Sequence, residues 1–98
     1  MSLPVVLRDE ARKEFDEAFD YYEERRPGVG EDFAERVQEV LDRLSLNPKM
    51  HAFVRGDIRK AVVKRFPYCV YYRSDDQRVE VIAVFHGSRN PSIWQERA

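Results

Sequence analysis

Seven basic residues and one acid, Asp57, fall between positions 49 and 73 of this 98-residue chain, with aromatic side chains among them. Arg55, Arg59, Lys60, Lys64 and Arg65 lead into Tyr68 and Tyr72, and His86 and Arg89 follow. Lysine and arginine grip phosphates. A tyrosine such as Tyr68 can stack on a base, and a histidine such as His86 exchanges a proton near neutral pH. Cleavage of RNA by 2′-hydroxyl attack needs a base, an acid and cations that stabilise the phosphorane. His86, Arg59, Arg65 and Tyr68 are therefore the candidate catalytic set. The same residues also have a structural reading, with a solvated basic strand, Tyr68 in the core and His86 hydrogen-bonded at a strand end. The residues alone leave both open.

Other chemistries have little support. His51 and His86 are far apart and Cys69 stands alone, so no zinc-like spacing exists and neither metal nor cofactor is expected. Gly28-Val29-Gly30 is explained as a break between helices, not as a phosphate loop. Cys69, set among strand aromatics, reads as an inert core thiol. Paired acids such as Glu23-Glu24 and Asp75-Asp76 read as solvated surface.

The net charge of −1 conceals an asymmetry. Residues 1–47 hold 7 Lys/Arg against 13 Asp/Glu, and residues 48–98 hold 10 against 5. An acidic face and a basic face are expected, the basic one being either a solvated sheet edge or a surface for a polyanion or acidic partner. The hydrophobic fraction of 43% and the charged fraction of 36% fit one globular domain over 1–98, not a disordered chain. No apolar run approaches a membrane span, and the start, Met1-Ser2-Leu3-Pro4, lacks an export signal. A cytoplasmic location is expected.

The elements that must position these residues follow from hydrophobic periodicity. Leu3–Leu7 reads as a first strand, with Asp9 as the cap of the following helix. Ala11, Phe15, Ala18, Phe19 and Tyr22 share one helical face, and Phe33, Val37, Val40, Leu41 and Leu44 repeat that spacing. Pro27–Gly30 separates the two helices, and Asn47-Pro48 ends the second. So short a join predicts an antiparallel helical hairpin. Strands are predicted over Ile58–Phe66, Tyr68–Arg73 and Val79–Phe85. The expected fold is α+β in two layers, β-α-α-β-β-β, with the hairpin on a mainly antiparallel sheet.

In the last strand, alternation places Val79, Val81, Ala83 and Phe85 on one face, and Ile82 and Val84 on the other. The hairpin covers only one face, so something must cover the second: the segment with Ile93 and Trp94, or another chain. A partner chain is the preferred expectation.

Two stretches carry a family resemblance. Phe66-Pro67-Tyr68-Cys69-Val70-Tyr71-Tyr72, preceded by Arg59, is similar to a segment common in ParE-like toxins. Val81 to Pro91, with His86 and Arg89 and followed by Trp94 and Arg97, resembles the ending of the same group. With the element order, these stretches mark a resemblance to the RelE/ParE superfamily of type II toxin–antitoxin systems, on the ParE side. Toxins of the ribonuclease branch place an arginine where this chain has Tyr68, and a tyrosine where Gly87 follows His86. The resemblance therefore implies a binding inhibitor of DNA gyrase, without nuclease chemistry, held inactive by a ParD-like antitoxin. A ribosome-dependent mRNA endonuclease is the alternative, and an inactive paralogue that only binds antitoxin is a second. The implied target-binding residues are Arg59, Arg65, His86, Arg89, Trp94 and Arg97. The antitoxin is expected to meet Ile82, Val84, Phe15 and Phe19.

Overall fold

The computed structural model describes residues 2–97. The chain runs β1 (Val5–Leu7), α1 (Asp9–Arg25), α2 (Val29–Leu46), β2 (Phe53–Arg55), β3 (Ile58–Val62), β4 (Tyr68–Ser74), β5 (Val79–His86) and α3 (Ser92–Gln95). One sheet has the order β1-β5-β4-β3-β2, with β1 parallel to β5 and the other pairs antiparallel. The α1–α2 hairpin lies on one face. This is the expected two-layer α+β fold with one added strand, β2, and with the segment from Ser92, open between a helical turn and an extended tail in the sequence, taking the helical turn α3.

The hairpin is antiparallel because its turn is tight. Gly28 takes φ 93°, which a side chain resists. Gly30 lies inside α2, where a Cβ would sit 2.8 Å from the Phe19 carbonyl oxygen and 2.9 Å from Glu23. The Glu23 carboxylate accepts the N–H groups of Gly28 and Gly30 at 3.0–3.1 Å and so caps α2 from the neighbouring helix. The expected Asp9 cap is corrected: Arg8 holds the cap position without a side-chain bond, and Asp9 is the first helical residue. Asp9 still faces the positive end of the helix dipole. Both apolar stripes point at the sheet, where Phe33, Val37, Val40 and Leu44 pack with Val70, Tyr72, Val79 and Val81.

The strand predicted over Ile58–Phe66 ends at Val62. Arg65 enters the left-handed region at φ 71°, closing a tight β3–β4 connection in which the Val63 N–H donates to the Tyr68 carbonyl at 2.9 Å. A two-residue turn, Gly56-Asp57, joins β3 to the unpredicted β2. All three β2 residues are exposed, so the strand has no buried alternation for a pattern to reveal.

The face assignment of β5 also changes. Tyr71 pairs with Ala83, but Tyr72 pairs with Val81, so Ile82 is an extra residue and the alternation breaks there. Val79, Val81 and Val84 face the helices, whereas Ile82, Ala83 and Phe85 join Ile58, Cys69 and Tyr71 on the other face. The preferred expectation of a partner chain over that face is corrected: α3 folds back and lays Trp94 on Tyr71, with ring centroids 4.1 Å apart and planes 21° apart. Val62, at 61% exposure, is the apolar residue of β3 left open.

Candidate functional site

Strand pairing brings Tyr68 and His86 together at one end of the sheet. Their rings meet edge to face at 5.2 Å. The His86 Nδ1 accepts the Ser88 N–H at 3.0 Å and lies 2.7 Å from the Ser88 hydroxyl. In the neutral ring that leaves the proton on Nε2. The Gly87 N–H donates to the Pro67 carbonyl at 2.9 Å, which ties the β3–β4 turn, and with it the exposed Arg65, to this end of the sheet. Arg89 is exposed nearby with its guanidinium 4.6 Å over the Phe85 ring. Neither Asp57 nor Glu80 engages it, because Asp57 pairs with Arg73 at 3.4 Å and Glu80 with Arg8 at 3.3 Å.

Arg59 does not join this group. It pairs with Tyr72, four residues along β4 from Tyr68, a distance of roughly 13 Å at the usual strand rise. Its guanidinium donates to the His51 carbonyl at 2.6 Å and the Lys49 carbonyl at 3.3 Å, and covers the Phe53 ring at 3.8 Å. Arg59 thus fastens the α2–β2 loop to the sheet. The Tyr72 hydroxyl reinforces that loop by donating to the Pro48 carbonyl at 2.7 Å.

The titration of Tyr68 is shifted up, first by burial, with Tyr21, Glu14 and Glu17 adding to the rise and Arg89 opposing it. Tyr68 is therefore a neutral phenol at physiological pH and suits hydrogen bonding or stacking better than proton abstraction. His51 is pushed down, first by burial and then by Arg43 and Arg59, and stays neutral.

Two expected contact residues are structural. Trp94 is 2% exposed and Arg97 is committed to Glu14, with its Nη2 2.7 Å from a carboxylate oxygen. Arg97 also donates to the Ile82 carbonyl at 3.3 Å, while Glu14 accepts the Val84 N–H at 3.1 Å. The physical cause is topological. Among the described residues β1 pairs only with Val79–Val81 and no strand lies beside the rest of the β5 edge, so these side chains satisfy its backbone at Ile82 and Val84. Arg8 completes the group by donating to the Arg97 carbonyl at 2.7 Å. The expectation that Ile82 and Val84 together present an antitoxin surface is likewise corrected: they lie on opposite faces and are 0% and 1% exposed.

Phe15 and Phe19 sit on the hairpin, both half-buried, with Phe15 stacked on Phe33 at 5.7 Å. Phe15 also lines a shallow groove with Leu7, Arg12, Ala34, Val37, Gln38 and Leu41. A second cleft, of about 160 Å³, lies at the β5 edge between Glu14, Glu17, Tyr21, Tyr68, Val84 and Arg89. Glu14, Glu17 and Tyr21 in this cleft carried no signal in the sequence, because an acid on an exposed helix face looks the same whether or not a strand edge lies beside it. Among the described residues no group of three His, Cys, Asp or Glu side chains could hold a metal, and no helix is long and apolar enough to cross a membrane.

This architecture has known relatives. The model of a family described as ParE toxin of type II toxin-antitoxin system, parDE, matches residues 5–91. The chain belongs to the ParE toxin family. Toxin ParE2 of Mycobacterium tuberculosis, in strains CDC 1551 / Oshkosh and ATCC 25618 / H37Rv, is 31% identical over 77 residues, which cover 78% of this chain and 73% of the relative. A chain of the chromosomal ParDE TA system from P. aeruginosa shares the fold at a TM-score of 0.75 and 13% identity, over 87% of this chain and 96% of that one. As a ParE-family member, this protein is the toxin component of a type II toxin–antitoxin system.

Proposed function

We propose that this ParE-family toxin arrests growth by binding DNA gyrase, or gyrase with its DNA, and that a ParD-like antitoxin encoded beside it holds it inactive. One observation carries the inhibitor reading. Arg65, in the turn tied to the His86 end of the sheet through the Gly87–Pro67 bond, and Arg89, three residues after His86, are exposed, whereas Arg59 and Arg97 are bonded elsewhere. The arrangement supplies cations for a polyanion or acidic surface but no convergent base, acid and phosphorane-stabilising set. Arg65, His86 and Arg89 are therefore the proposed target contacts. The half-buried Phe15 in the groove between α1 and α2, with Phe19 beside it, supports docking of an amphipathic antitoxin helix.

The test is supercoiling by purified gyrase with added toxin, beside Arg65→Ala and Arg89→Ala variants of checked melting temperature. Inhibition by the wild type that weakens at least tenfold in the variants is expected. Unaffected supercoiling from a preparation that still kills cells would end the gyrase reading.

The Tyr68–His86 contact favours a second reading, a ribosome-dependent mRNA endonuclease. Codon-phased cuts in translated transcripts that vanish in His86→Ala would establish it.

A further inference from the structure

Arg65 is the one described residue other than glycine with a left-handed backbone, at φ 71°. A side chain resists that region, which glycine or asparagine takes with less strain. Such strain persists only where the surroundings impose it, and it collects at functional sites. Here the surroundings do impose it. The Phe66 ring packs 5.0 Å from Tyr22 and 5.2 Å from Phe33, and the Pro67 carbonyl accepts the Gly87 N–H at 2.9 Å. Nothing in that arrangement calls for an arginine. Among the described residues the exposed Arg65 side chain forms no ion pair and covers no ring, whereas Arg25, Arg59 and Arg89 each lie over one. Its use lies outside the chain.

The neighbouring charges define what it meets. Residues 58–74 hold Arg59, Lys60, Lys64, Arg65 and Arg73 and no acid. Arg59 is bonded to backbone carbonyls and Arg73 pairs with Asp57 at 3.4 Å. Lys60, Lys64 and Arg65 remain exposed, without an ion pair among the described residues. Lys60 pairs with Tyr71 and so stands on the sheet face opposite the acidic hairpin. Glu14 and Glu17, the acids that line the cleft beside Tyr68, lie at the β5 edge, two strands from β3. Cations set apart along a strand and its turn suit a chain of repeated anions, which satisfies each of them without carboxylates placed one by one. The guanidinium fork also takes two oxygens of one phosphate.

We propose that the β3–β4 turn is a phosphate-gripping tip, in which the left-handed Arg65, with Lys64 beside it and Lys60 behind it on β3, contacts the backbone of duplex DNA. The strain at Arg65 is what holds a guanidinium at this position. The proposal deepens the gyrase reading and rests on it for one point alone, that the DNA is met in the gyrase complex.

The experiment measures the affinity of the purified toxin for a fluorescent duplex oligonucleotide across a salt series. Arg65→Asn, Arg65→Thr and Lys64→Gln are compared with the wild type and with Arg78→Gln, an exposed cation in the β4–β5 turn at the opposite end of the sheet. Losing one phosphate contact lowers the slope of log affinity against log salt by about 0.9, or about eightfold in affinity per decade of salt. Arg65→Asn and Lys64→Gln should each lose that much, and Arg78→Gln should not. Arg65→Asn should melt at or above the wild type, because asparagine tolerates the left-handed region, and Arg65→Thr should melt lower, because a β-branched residue does not.

A wild type without measurable affinity for the duplex, a wild-type slope in Arg65→Asn, or an equal loss in Arg78→Gln would overturn the tip. An Arg65→Asn variant that melts well below the wild type would overturn it by making the side chain structural. Tighter binding to single-stranded RNA, or equal displacement of the duplex by poly-glutamate of the same charge, would overturn it in favour of those partners. Supercoiling assays on the same proteins separate the two readings. A toxin that binds duplex through Arg65 but spares gyrase keeps the tip and removes the gyrase reading. Gyrase inhibition by Arg65→Asn as strong as that of the wild type removes the tip and leaves the gyrase reading standing.

Discussion

Replacing Trp94 with alanine separates a structural role from a contact role. Its ring is 2% exposed and stacks on Tyr71 at 4.1 Å. A tryptophan buries roughly 200 Å², which at about 25 cal/mol per Å² is about 5 kcal/mol. Compactness of the unfolded chain removes up to about 40% of that, and the stacked pair adds about 1 kcal/mol. The expected loss is about 4 kcal/mol, within the range of about 3–5 kcal/mol for Trp→Ala in a core. For a domain of this size each kcal/mol moves the melting temperature by about 4–8 °C, so a fall of 15 °C or more is expected. Trp94→Phe should recover part of it. The measurement is thermal unfolding followed by circular dichroism, with growth inhibition assayed in parallel. A variant that melts within about 3 °C of the wild type yet no longer inhibits growth would refute the argument and restore Trp94 as a target contact.

Arg97 and Glu14 are 15% and 14% exposed in their side chains, so their pair is less screened than a surface bridge. A double-mutant cycle of Arg97→Met and Glu14→Gln, read by denaturant unfolding, should give a coupling of about 1–2 kcal/mol, between surface and buried pairs; a coupling near zero would contradict the edge-capping role. Gly30→Ala should destabilise by about 2 kcal/mol or more, because its Cβ would meet the Phe19 carbonyl at 2.8 Å. Gly28→Ala meets no atom within 4 Å, so its loss should stay near the 1 kcal/mol of a left-handed residue; the reverse ranking in chemical denaturation would sink this account of the helix crossing. The folded-state pKa of His51 lies below its ordinary value of 6.5, so the unfolded chain binds the proton first as pH falls. Its contribution is intact above pH 6.5 and is lost as pH drops through the folded value. His51→Gln should therefore flatten the decline in melting temperature below pH 6.5, and an unchanged slope would disprove the assignment.

The helical hairpin was legible because hydrophobic spacing is local. Ala11, Phe15, Ala18 and Tyr22, and Phe33, Val37, Val40 and Leu44, can face a core only if each segment is helical, and Pro27-Gly28 allows only a tight reversal. The strands from Tyr68 and Val79 were legible through their aromatic and β-branched content. The exposed β2 had no such signal. The two-residue turn beside it was the available cue.

The candidate site divides along the same line. Tyr68 and His86 were found from residue type, and the antiparallel register then brought them together. Whether Arg59, Arg97 and Trp94 were free was not readable. Each is held by groups distant in sequence or by a backbone atom: His51 for Arg59, Glu14 and Ile82 for Arg97, Tyr71 for Trp94. The bulge at Ile82 reverses the faces of Ala83, Val84 and Phe85, and it exists only in the pairing of β5 with β4. Sequence by itself determined which segments are amphipathic, where they break, and that the acids precede the bases, since period, proline and charge act within a few residues. Tertiary structure alone decided which cations remain exposed and what covers the outer sheet face. Those outcomes depend on a strand edge left open after Val81 and on side chains that reach it from both ends of the chain.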